Sequence, residues 1–156
     1  MMIFASLNLY SQVTFNYTIK GGRNVDLIFN SLKKLNDGIT YSNFTKFTVN
    51  YDLASGTGYW KLYCKANTAN IEGEDGNSLS LATIEIKPSC ALCSGATLYN
   101  EKLSSSDVLL IENGPEGSNI DISITYEVGV DDTYKLFLKN PDNYFVDIIF
   151  WFEYNN

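Results

Sequence analysis

Cys90-Ala91-Leu92-Cys93 is the first spacing in this sequence that could do chemistry, since CxxC serves thiol–disulfide exchange and metal binding. A redox cysteine sits at a helix N-terminus, where the dipole lowers its pKa. Here Pro88-Ser89 precedes the motif and Ser94-Gly95 follows it, so the sequence places it in a loop. The third cysteine is Cys64, and three thiolates fall one short of a tetrahedral zinc site. A structural disulfide in an oxidising compartment is the better use. Cys90–Cys93 is the local pairing, and Cys64 is the alternative partner of either. One thiol is left over, expected to be Cys64 buried as a small hydrophobe.

Histidine is absent from all 156 residues. That removes the commonest general base, the commonest metal ligand and every triad that needs an imidazole. Carboxylates remain. Glu72, Glu74 and Asp75 surround Gly73, and Asp131-Asp132 follow Gly129. Oxygen ligands this close suit calcium, but the alternating ligands and closing glutamate of an EF-hand are missing, so acidic turns are the expectation. A pair of carboxylates could serve a glycosidase, and the sequence offers no basis for choosing one. The expectation is a protein without catalytic residues, cofactor or resident metal.

Aromatic side chains are the remaining candidates. Tyr59, Tyr63 and Trp151 fall opposite the apolar positions of their segments, and Phe145 and Ile149 lie on the same side as Trp151. These five form the candidate binding set, because rings stack on sugars and anchor protein interfaces.

The elements that must position them are strands. Period-two alternation dominates after Gln12 and helical periodicity is scarce. Phe15, Tyr17 and Ile19 mark one strand, and Val25, Leu27 and Phe29 a second. A helical turn over Asn30 to Leu35 is stopped by Asp37-Gly38. Phe47, Val49 and Tyr51 are followed across Ser55-Gly56-Thr57-Gly58 by Trp60, Leu62, Cys64 and Ala66, a pattern that predicts a hairpin. Ile84 and Ile86 mark a strand ended by Pro88. Ile120, Ile122, Ile124, Tyr126 and Val128 alternate with polar residues, as in a sheet with one wet face. Tyr144 to Tyr154 is apolar on both sides and needs cover on both, from the fold or from a partner. Eight or nine short strands with frequent turns predict one all-β domain, an antiparallel two-sheet sandwich of immunoglobulin-like or jelly-roll-like form.

Formal charge is −7, with no basic stripe, which argues against nucleic acid. No apolar run reaches the length needed to span a bilayer. Met1 to Gln12 reads as the remnant of a secretory signal peptide, leaving residues 13–156 as the folded domain. The expected location is extracellular or at the cell surface, with the periplasm as the other exported compartment.

Gly58-Tyr59-Trp60-Lys61-Leu62 carries a Trp-x-Leu, and Pro141-Asp142-Asn143-Tyr144 introduces an aromatic last strand. Together these resemble the secreted WxL-type and the spore-coat-U or pilus-subunit-like sandwiches. Trp151-Phe152-Glu153 departs from the pattern, with glutamate where leucine is expected. The resemblance implies a non-catalytic extracellular protein that attaches to cell walls or assembles into surface structures. Two functions are therefore carried forward. The first is assembly or adhesion through contacts with other surface proteins or with copies of itself. The alternative is a carbohydrate-binding module that uses exposed aromatics, with or without calcium.

Overall fold

The computed structural model describes residues 13–22, 29, 31–53, 58–136, 139 and 142–155. Val25, Leu27 and the segment Met1 to Gln12 lie outside the described residues. Among those described, the chain forms β1 (Val13–Gly21), helix α1 (Leu32–Asp37), β2 (Ile39–Leu53) and β3 (Tyr59–Ala66). Then come β4 (Asn70–Gly73), β5 (Ser78–Ser80), β6 (Ile84–Ser89), β7 (Thr97–Leu98) and β8 (Glu101–Lys102). The series closes with β9 (Val108–Gly114), β10 (Gly117–Val128), β11 (Tyr144–Phe145) and β12 (Ile148–Asn155).

The all-β sandwich expected from the alternation is what forms. One antiparallel sheet runs β1-β2-β10-β6-β8 and the other β12-β3-β9-β7, while β11-β4-β5 makes a small third sheet. Phe47 of the first sheet meets Phe150 and Phe152 of the second edge-to-face, with centroids 5.3 and 5.8 Å apart, so the two inner faces pack directly on one another. Ile120, Ile122, Ile124, Tyr126 and Val128 are all buried, and their polar neighbours point outwards. Trp60, Leu62 and Cys64 face them from β3 and are wholly buried. The Trp60 indole donates to the Pro115 carbonyl at 2.8 Å, which satisfies its one polar atom. A Cβ at Gly114 would overlap that ring, so glycine is what lets β9 approach it.

The short helix ends where its turn chemistry predicts. Ser31 caps the start by accepting from the Lys34 amide, and Gly38, at φ 75°, closes it.

Several expectations need correction. The Phe47–Tyr51 and Trp60–Ala66 segments do not form a hairpin: β2 pairs with β1 and β10, whereas β3 pairs with β12 and β9. Their apolar sides face one another across the sandwich instead of lying side by side. Pro88 does not end its strand, for β6 continues to Ser89 opposite Ser123. Beyond Glu85 and Ile86 its second neighbour, β8, has stopped, so a residue without an N–H interrupts no ladder there. Tyr144 to Tyr154 is two strands in two sheets, since β11 pairs with β4 and β12 with β3. Twelve strands are described where eight or nine were expected, the extra ones mostly two to four residues long.

The sandwich has unlike sides. Its two sheets end in the long strands β1 and β12 on one side and in β7 and β8, of two residues each, on the other. Phe15 of β1 stacks on Tyr154 of β12 at 5.1 Å, and Tyr17 meets Phe152 at 4.7 Å, so the long edges lie against each other across the core. Short edges are the usual defence against edge-to-edge pairing. Among the described residues, only one side of this sandwich uses that defence.

Candidate functional site: an aromatic row beside an open edge

The outer faces of the two sheets differ in kind. On the β1-β2-β10-β6 face, polar groups bind one another. The Asn119 amide donates to Asn50, whose side-chain N–H donates to Asn16. Thr48 and Lys20 both donate to Asp121, and Lys87 bridges Glu85 and Glu127. The Thr48 and Lys20 bonds hold the Asp121 carboxyl below its usual range. This is a solvated surface.

On the β12-β3-β9 face, register lays three rows across the strands. The middle row is apolar: Trp151 pairs with Tyr63, and Tyr63 with Leu109. The Trp151 and Tyr63 rings stack at 5.4 Å with planes 12° apart, and the Lys65 ammonium lies 5.3 Å from the Trp151 ring. One flanking row is charged throughout, with Glu153 opposite Lys61 and Lys61 bonded to Glu112 at 2.8 Å. Glu112 also accepts from the Tyr99 hydroxyl at 3.1 Å. The hydrogen bond from Lys61, then that from Tyr99, holds the Glu112 carboxyl below its usual range, and the same bond raises Lys61. The other flanking row is charged only in part: Lys65 pairs with Asp107 at 3.2 Å, but its neighbour on β12 is Ile149, 43% exposed.

Of the five candidates, the structure brings Tyr63, Trp151 and Ile149 together and keeps Tyr59 on the same face, opposite Asn155. Phe145 is separated from them. It is exposed, but on β11 in the small sheet, where it pairs with Glu72. Sequence reasoning missed Leu109 and the lysines beside the rings, because only register shows which residues become neighbours across strands.

Stacking bears on what this face can hold. Each ring spends one side on the other. Carboxylates in and beside the acidic turns are likewise engaged, with Asp131 paired to Lys102 and Asp132 to Lys135. Asp142 accepts from the amide of Asp75 and, at 2.9 Å, from the Asn77 side chain, and Glu74 accepts from Asn143. Those bonds, that of Asn77 first, keep the Asp142 carboxyl low. Among the described residues no three side chains of Cys, Asp or Glu converge as a metal site. Cys90 and Cys93 are joined in a disulfide and Cys64 is a buried free thiol, as the loop and strand contexts predicted. Burial pushes the Cys64 thiol up to about 12, which makes it inert. Among the described residues no helix is long and apolar enough to cross a membrane.

No family model and no curated protein matches this chain.

Proposed function

We propose that this is a non-catalytic, exported β-sandwich that acts at the cell surface in assembly or adhesion, through protein contacts made on the outer face of β12 and β3. The observation that carries this reading is the contrast between the two outer faces. One is closed by polar groups that bind each other. The other presents Tyr63, Trp151, Leu109 and Ile149 beside a strand of eight residues that, among those described, pairs on one side only. An apolar row rimmed by ion pairs is the anatomy of a protein contact, with aromatic anchors inside and charges at the margin. The Cys90–Cys93 disulfide supports an oxidising compartment, and the apolar Met1 to Gln12 segment supports export.

The test is the double variant Ile149→Thr with Trp151→Ser. It removes a stack and a cation–π contact, at a cost of about 1–2 kcal/mol, and leaves the inner face untouched. The variant should fold and be released from the surface of cells that retain the parent. Equal retention of both proteins would refute the proposal. Loss of folding would also count against it, because the row would then be internal packing.

A further inference from the structure

The second flanking row is incomplete, and its gap has a shape. Where the first row reads Glu153, Lys61, Glu112, the second reads Ile149, Lys65, Asp107, with no acid on β12. At the same time Glu153 is exposed and forms no ion pair among the described residues. Each row therefore ends at the open edge of β12 with what the other lacks.

Resting on the contact reading above, we propose that the occupant of this edge is a second copy of the chain, bound through antiparallel β12–β12 pairing about a twofold axis at Trp151. That axis sets Ile149 of each copy opposite Glu153 of the other. The carboxylate then stands just beyond Ile149, within reach of the long Lys65 side chain. Across the seam the two flanking rows then join, so that Asp107, Lys65 and Ile149 of one copy are followed by Glu153, Lys61 and Glu112 of the other. The middle row becomes a ladder of four rings, with the two Trp151 side chains meeting at the axis, each already stacked on its own Tyr63. Such a contact is isologous and closes on itself. It also satisfies the N–H and C=O groups that β12 leaves unpaired among the described residues, with a ladder like that on its other side.

β1 is the other long edge, and its chemistry does not suit the same role. Its outward side chains are Thr14, Asn16, Thr18 and Lys20, and Asn16 and Lys20 are already bonded within the chain.

The test uses single cysteines in the full chain. Residues opposite each other in an antiparallel pair are close enough for a disulfide. Residues four positions out of register lie about 13 Å apart along the strand and are not. Ile149→Cys and Glu153→Cys proteins, mixed under mild oxidation, should give a linked dimer, while each alone and the parent give none. Parent thiols do not interfere, because Cys64 is buried and Cys90 and Cys93 are bonded. Linkage within either single variant, or no linkage in the mixture, overturns the proposal. Retention of the parent on cells separates this failure from failure of the contact reading. If cells retain the parent but not the Ile149→Thr/Trp151→Ser variant, and the mixture gives no linked dimer, the face binds a different partner. If neither measurement responds, both proposals fall.

Discussion

Replacing Trp60 by alanine tests whether β3 belongs to the inner wall of the second sheet. The side chain is wholly buried, packs edge-to-face on Phe152 at 5.7 Å and lies against Gly114. Truncating a large buried aromatic costs about 3–5 kcal/mol. The Pro115 carbonyl also loses its donor, which adds about 1 kcal/mol and places the expected loss at the upper end of that range. For a domain of this size the melting point should fall by about 10 °C or more. Urea denaturation followed by tryptophan fluorescence and far-ultraviolet circular dichroism measures the loss, with Trp151 as the remaining reporter. Trp60→Phe should cost less than half as much, since it keeps most of the packing and gives up only the indole N–H and part of the volume. A Trp60→Ala protein within 1 kcal/mol of the parent would refute the packing derived for both sheets.

Gly114→Ala should destabilise by about 1–3 kcal/mol, because the new methyl group overlaps the Trp60 ring; thermal unfolding that matches the parent would disprove that close approach. Alkali should weaken the fold. Burial raises the Cys64 thiol from 9.0 to about 12 and the Tyr126 phenol from 10.0 to about 12, so the folded state holds both protons more tightly than the unfolded chain. Their contribution is complete below pH 9 and is lost as pH rises toward 12, with Cys64 alone accounting for about 4 kcal/mol. Urea unfolding of Cys64→Ala should therefore decline less steeply than the parent between pH 9 and 11, and equal slopes would contradict the burial argument. Alkylation of exported protein without reduction, read by mass spectrometry, should leave Cys90 and Cys93 unmodified; two labelled thiols there would remove the support for an oxidising compartment.

Much of the fold is legible in local pattern, and the failures share one cause. β10 could be read residue by residue because one of its faces is buried and the other wet. The Phe47–Tyr51 and Trp60–Ala66 segments alternate just as clearly, yet alternation is the same whether two strands pair within a sheet or face each other across a core. Between Tyr144 and Phe152 the alternation runs on in phase through Asp147, so nothing local marks the change of sheet between β11 and β12. β9 is hidden in the sequence because a register shift between Leu109 and Ile111 buries Leu110 and Ile111 in succession, and a second one, at Asn113 with φ 58°, breaks the period again. The same limit applies to the site. Alternation put Tyr63, Ile149 and Trp151 on outer faces, but the rows they form with Lys61, Lys65 and Leu109 exist only in the register between strands. Phe145 shared their phase without sharing their sheet.

Sedimentation velocity of the full chain, parent against Ile149→Thr/Trp151→Ser, over a hundredfold range of concentration tests the central claim most directly. The parent should shift from monomer to dimer as concentration rises, while the double variant sediments as a folded monomer throughout. A parent and variant that associate alike would contradict the pairing of two copies through β12 and its aromatic row.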